Sequence, residues 1–305
     1  MDINEKTLRE DYVVDEVTNS ALMVYPVNCV FRTQEIQQPF LHAHSGYEFY
    51  MCLAGQGKLL TERSVHELTA GILTIIAPNA LHMPRSAPEE PFHRFILSID
   101  KTYLEELGGV NQLPEEYGID FWLPSEEEAS LYRQLNAHQI LAVQDIFVQL
   151  ERELIERKKC FSLAVRSLIL QLFVNLGRYQ EVQPANSSSS GERKQIVEGI
   201  MDWVAERYAE PLRIEELCSR YHLSRSYLHR IFKQETGLTI MEYLISYRIN
   251  KAKILLKNDS MSITEIAHCS GFQDLSHFSR IFKRQIGITP RAYRDSGRKT
   301  EAYYY

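Results

Sequence analysis

The chain has 305 residues, with 34 Lys+Arg against 40 Asp+Glu and a formal net charge of −6, a length that allows two domains, each with its own core. Five cysteines, Cys29, Cys52, Cys160, Cys218 and Cys269, stand far apart without a Cys-x-x-Cys pair, which argues against a disulfide scaffold and for a reducing compartment. The chain starts acidic and polar, and no apolar run approaches the ~18 residues of a membrane span, so a cytoplasmic protein with no membrane partner is expected.

Residues 19 to 99 carry short apolar runs, Ala21 to Tyr25, Glu48 to Leu53, Ile72 to Ile76 and Phe95 to Ile99, separated by Gly, Pro and Asn. This spacing predicts many short strands and hence a sandwich or small barrel. Within it lie His42, His44, Glu48 and Tyr50, which share parity and therefore one face of a strand, followed later by His82. Three readings stay open for these residues. They suit the hydroxyl groups of a small effector; His42, His44, Glu48 and His82 suit a divalent metal such as Fe, Mn, Ni or Zn; and they could form a satisfied structural network. His66, His93, His138, His222 and His268 stand alone, and surface or packing roles are expected. Phe121 and Trp122, just past the strands, read as core, or else as part of an effector pocket.

From Ser125 the period changes. Leu131, Leu135, Ile140, Val143, Ile146, Phe147, Leu150, Leu154 and Ile155 recur at helical steps, and a second helical run spans Phe161 to Tyr179. Such a pair either forms a dimer seam or covers its own domain. The Ser-rich stretch Gln183 to Glu192 reads as a flexible linker.

Beyond the linker the charge balance turns basic, whereas the part before it is acidic, which points to a polyanion partner for the C-terminal part alone. A shift of 50 residues exposes a repeat. Ser226, Arg230, Ile231, Phe232, Lys233, Gly237, Thr239 and Tyr243 recur as Ser276, Arg280, Ile281, Phe282, Lys283, Gly287, Thr289 and Tyr293. A helix opened by Ser224 and closed near Gly237 puts Leu228, Ile231 and Phe232 on one face and Ser226, His229, Arg230 and Lys233 on the other. In the second copy Phe278, Ile281 and Phe282 point inward, while Ser276, Ser279, Arg280 and Lys283 point outward. Arg suits the paired acceptors of guanine, and Lys and Ser suit phosphates or mixed edges, so two helix-turn-helix readers of double-stranded DNA are predicted.

The stretch AHCSGFQDLSHFSRIFKRQIGITPRAYR, Ala267 to Arg294, with LSRSYLHRIFKQETG and RINKAKILL before it, resembles the signature of the AraC/XylS family of bacterial regulators. That resemblance implies a bihelical DNA-binding domain joined by a long helix around Ile240 to Lys257. It implies base-facing Ser226, His229, Arg230, Leu275, Ser276, Ser279 and Arg280, with Lys233, Lys283 and Arg291 on the backbone. Arg213 departs from it, standing where the family usually has a Ser or Thr cap.

Upstream, His42-x-His44-x3-Glu48-x6-Gly55 and Gly71-x6-Pro78-x3-His82 resemble the two motifs of the cupin barrel, although the usual Gly after the proline is missing. The whole is expected to be an α+β multidomain chain. Residues 1–124 form a cupin-like, effector-sensing β-barrel, 125–182 a helical segment for dimerisation, 183–192 a linker, 193–296 the double helix-turn-helix domain and 297–305 a tail. The function implied is a sequence-specific, non-enzymatic transcription regulator, an activator working as a homodimer with RNA polymerase. It would answer to a small effector, a carbohydrate by resemblance, bound by His42, His44, Glu48, Tyr50 and His82. The alternatives are a metal-binding cupin enzyme and a ligand-independent regulator with a vestigial barrel.

Overall fold

The computed structural model describes residues 14–36, 40–87, 91–108, 123–124, 129–179, 191–257 and 260–301. After helix α1 (Val14–Val24) come strands β1 (Val27–Arg32), β2 (Tyr47–Ala54), β3 (Gly57–Thr61), β4 (Val65–Leu68), β5 (Ile72–Ile76), β6 (His82–Ser86) and β7 (His93–Ile99). Helix α2 (Lys101–Gly108), strand β8 (Ser130–Gln134) and helices α3 (Ala137–Glu156) and α4 (Phe161–Arg178) complete the N-terminal part. The strands form two antiparallel sheets, one of five in the order β1-β7-β2-β5-β8 and one of three in the order β4-β3-β6. The chain passes from the larger sheet to the smaller at Gly55. Its φ of 90° excludes most side chains, and a Cβ there would lie 2.6 Å from the Pro91 carbonyl oxygen. Instead of one closed barrel, the described strands make two sheets face to face, the double-sheet solution to covering apolar faces.

Strand alternation decides what each face meets. On one side of the larger sheet, Phe49, Met51, Leu73, Ile75, Phe95 and Leu97 pack on Val143, Phe147, Leu150, Ile169 and Phe173 of α3 and α4. On the other, Tyr50, Cys52, Ile72 and Ile76 meet Leu59 and Leu68 of the smaller sheet, with Phe92. The smaller sheet is apolar on both sides: Leu60, Val65 and Met83, next to Leu59 and Leu68 in the chain or across the ladder, face the DNA-binding part instead.

That part holds α5 (Gly191–Arg207), α6 (Ile214–Tyr221), α7 (Arg225–Thr236), α8 (Ile240–Leu256), α9 (Ile263–Cys269), α10 (Leu275–Ile286) and α11 (Pro290–Glu301). Val204, Leu228, Ile231, Phe232, Tyr243 and Tyr247 form the first unit's core, continuous with the outer face of the smaller sheet. Ile249, Ala252, Ile266, Phe278 and Phe282 form the second core. Helix α8 serves both, which is why its apolar residues recur all round rather than along one stripe. The layers run helices, large sheet, small sheet, helices.

Three expectations change. Ala21 to Val24 end a helix rather than start a strand. Leu131 belongs to β8, which pairs with β5, and Leu135 lies just past it, so the helix opens only at Ala137, where Asn136 and Gln139 make a capping box. Finally, α5 begins at Gly191, inside the stretch read as a linker; residues 180–190, Phe121, Trp122 and Tyr303 to Tyr305 lie outside the described residues. The α3–α4 pair covers its own sheet, one of the two readings left open.

Candidate effector pocket and nucleic-acid interface

In each repeat, α7 and α10 are set by caps at both ends. Ser224 accepts the Tyr227 amide at 3.3 Å, and Asp274 accepts those of Ser276 and His277 at 3.2 and 2.8 Å. Gly237 and Gly287 close the helices with φ of 73° and 82°. Arg213 opens α6 without a side-chain cap, as its departure from the family pattern implied. Leu228, Ile231 and Phe232, and likewise Phe278, Ile281 and Phe282, are buried. Ser226, Arg230 and Lys233 are exposed and His229 is half-buried; Leu275, Ser276, Arg280 and Lys283 are exposed and Ser279 half-buried. Arg291 is exposed at the start of α11. Each predicted reader therefore presents its polar face outward. The structure adds Arg284, exposed in the last turn of α10, which its basic character alone could have flagged.

Inside the N-terminal part, His42, His44, Glu48 and His82 converge and are buried. They do not share one strand, as parity suggested: His42 bridges His82 beside the small sheet, and the chain bends at Ser45–Gly46 before Glu48 enters β2. The ring centroids of His42 and His82 are 4.0 Å apart and those of His44 and His82 4.9 Å. Glu48 Oε2 lies 3.2 Å from His44 Nε2, and its Oε1 lies 3.6 Å from His82 Nε2. Burial pushes the Glu48 carboxyl up, but the two imidazoles outweigh it and hold the group well below its ordinary range, so it is ionised. Burial and the neighbouring imidazoles push His42 well below its ordinary value. One carboxylate charge is thus enclosed by three rings.

Next to this cluster a row of polar groups crosses the large sheet on the same face. Glu48 pairs with Ser98, Tyr50 with Thr74, Thr74 with Tyr132, and Cys52 with Arg94. The hydroxyls of Tyr50, Thr74, Ser98 and Tyr132 and Nε of Arg94 are buried without a hydrogen-bond partner among the described residues. Buried polar groups are normally satisfied, so such a row is a place where a polar ligand is wanted. Of these residues only Tyr50 was expected. Arg94 and Ser98 could have been found by extending alternation along β7, whereas Tyr132 was hidden by reading its strand as helix. His66, expected to stand alone, stacks on Tyr132 at 4.0 Å between centroids.

A two-sheet domain with a buried row of polar groups, fused to duplicated helix-turn-helix units with outward basic faces, defines an effector-responsive, DNA-binding transcription regulator. A model described as an AraC-like ligand binding domain matches residues 28–173, and one described as a helix-turn-helix domain matches residues 217–296. The chain belongs to the AraC/XylS family. It is 28% identical over 261 residues to the HTH-type transcriptional activator RhaR of Cronobacter sakazakii, covering 83% of this chain and 86% of that protein. It is 26% identical over 255 residues to the activator RhaS of Escherichia coli O81, with the same coverage. Among solved structures, an apo form of ToxT from Vibrio cholerae is 16% identical, covering 88% of this chain and 97% of that one with a TM-score of 0.39. The relatives are regulators, and so is this chain; the reading as a cupin enzyme is set aside. No helix among the described residues is long and apolar enough to cross a membrane.

Proposed function

We propose that this protein is a transcription activator that binds a small polyhydroxylated effector, of the carbohydrate class, between its two sheets, and reads an operator with α7 and α10. The row of buried, unpartnered hydroxyls at Tyr50, Thr74, Ser98 and Tyr132 carries the effector reading. Hydroxyl and guanidinium groups recognise sugar hydroxyls with paired donors and acceptors, and a site built this way rejects analogues that leave its groups unpaired. His42, His44, Glu48 and His82 close one end of the same pocket. Activation is supported by the similarity to RhaR and RhaS, both transcriptional activators, and an activator acts through RNA polymerase. A homodimer is supported by Leu163, Leu170 and Val174, which stay exposed at helical spacing along the outer face of α4.

In the DNA-reading set, Ser226, His229, Arg230, Leu275, Ser276, Ser279 and Arg280 meet bases, and Lys233, Lys283 and Arg291 meet phosphates. The effector test is calorimetric titration of the full chain with a panel of pentoses, hexoses and deoxyhexoses. A member of the panel should bind, and Thr74→Val and Tyr50→Phe should each weaken it about 2- to 10-fold, the worth of one hydrogen bond. Binding unchanged in both variants would move the effector off this face of the sheet.

A further inference from the structure

We propose that Arg94 is an anion anchor and that the effector is a sugar acid, an aldonate or a uronate, whose carboxylate sits on this guanidinium and on the Tyr50 hydroxyl. The inference rests on the carbohydrate reading of the row between the sheets and narrows it to one chemical class.

Register places Arg94 in that row. It stands opposite Cys52, as Ile96 stands opposite Tyr50 and Ser98 opposite Glu48. Facing residues of an antiparallel pair share a side of the sheet, and Tyr50 and Cys52 meet the smaller sheet. Arg94 is only 7% exposed. Its Nη1 donates to the carbonyls of Gln34 and Phe92 at 2.7 and 3.0 Å, and the guanidinium carbon lies 5.7 Å from the centre of the Phe92 ring. Those partners fix the head of the side chain but bring no negative charge. Nε is buried and has no hydrogen-bond partner among the described residues.

The surroundings leave this cation uncompensated. Arg32, a like charge, stands opposite it on β1 and opposes its ionisation. Burial pushes the Cys52 thiol up to about 11, so no thiolate faces Arg94. Burial also raises the Tyr50 hydroxyl well above its ordinary value, so it keeps its proton and can donate. Glu48 is the one carboxylate that the larger sheet turns to this face among the described residues. It lies about 13 Å back along β2 from Cys52, at the extended-strand rise, and His44 and His82 already enclose it. A buried guanidinium ordinarily has an anionic partner, because leaving it without one is costly. A carboxylate set there accepts from Nε and from the Tyr50 hydroxyl, and charged hydrogen bonds of this kind are the strong ones. A single negative charge matches a single cation; a phosphate, with close to two, would leave an excess beside Glu48. The row is also polar in one direction, a cation at one end and Glu48 at the other. An acid therefore enters one way round, its hydroxyls running toward Thr74 and Ser98.

The test is calorimetric titration of the full chain with galacturonate, glucuronate, galactonate and gluconate, set against galactose, glucose, the methyl ester of each acid that binds, and adipate, an acid without hydroxyls. At least one sugar acid should bind ~30-fold or more tightly than its neutral counterpart and its ester, the scale of a buried charge pair. Arg94→Met should cost that acid the same factor and the neutral sugar much less, and Arg94→Lys, which keeps the charge, should recover part of the loss. Circular dichroism spectra matching the native chain's show that the fold is intact; if Arg94→Met fails to fold, the comparison of acid with ester on the native chain still decides. A native chain that binds neutral sugar or ester as tightly as acid, or an Arg94→Met chain that loses acid and neutral sugar equally, would overturn the anchor and leave the carbohydrate reading standing. Adipate held through Arg94 with no sugar or sugar acid bound would refute the carbohydrate reading and leave only the anchor, and a chain that binds nothing in the panel refutes both.

Discussion

At the scale of single residues, Arg280 and Lys283 stand three positions apart on α10, both exposed, yet are expected to do different work. In the proposed reading Arg280 pairs with the two acceptors of a guanine, so Arg280→Ala should relax base preference at one operator position and cost about 1 to 3 kcal/mol. Lys283→Ala should weaken binding to all sequences and lower the salt slope by about 1. Selection from random duplexes, followed by titrations at several salt concentrations, separates the two; a variant at Arg280 with unaltered preference removes it from the reading set. These outward residues were legible in the sequence because each lies opposite a core residue at helical spacing, and the repeat fixed the phase twice. The pocket was half legible. His42, His44, Glu48 and His82 carried a recognisable spacing, but Thr74, Ser98 and Arg94 became neighbours only through the registers of β2 with β5 and β7, and register is a long-range property that no local window holds.

Among the elements, α7 and its closing glycine tie local rules to docking. Gly237 has the left-handed conformation that ends the helix, and a Cβ there would come within 1.7 Å of Arg85 Nη1 on β6. Gly237→Ala should therefore cost about 1 to 2 kcal/mol from the backbone alone, and more if Arg85 must leave. Thermal melts of the full chain check it; an unchanged midpoint would show that neither term operates. The Gly was predicted as a cap, while its second role depends on a strand some 150 residues earlier in the chain. The misread elements share that cause. β8 is a strand because β5 offers it a ladder, although Leu131 and Leu135 fit a helical period as well.

For the whole molecule, one acidic residue, Glu62, gathers several of the polar contacts that close the seam between the two parts. Glu62, in the β3–β4 turn, receives the Tyr247 hydroxyl and, at 3.0 Å, the Lys251 ammonium, while its own carbonyl accepts the Tyr243 hydroxyl at 2.6 Å. The exposed pair of Arg63 with Asp202 adds little by comparison. Burial alone would push the Glu62 carboxyl up, but Tyr247 and Lys251 outweigh it and hold the group below its ordinary value of 4.5. A carboxyl depressed in this way stabilises the docked state above that ordinary value, and the contribution disappears as pH falls through the lowered one. Docking should thus be indifferent to pH near neutrality and weaken in acid below about 4.5. Glu62→Gln should flatten that acid limb, as followed by the melting midpoint against pH; an identical limb in the variant would place the acid sensitivity elsewhere.

The small sheet has one further consequence, for solubility. With Leu59 and Leu68 spent on one side and Leu60, Val65 and Met83 on the other, neither surface is finished for water. Separating the two parts would bare that outer face together with Tyr243 and Tyr247, an apolar area that soluble monomers seldom show. Any signal that opens the seam therefore creates a surface that must find another cover or draw chains together, and an apolar fluorescent dye would report the opening as it happens.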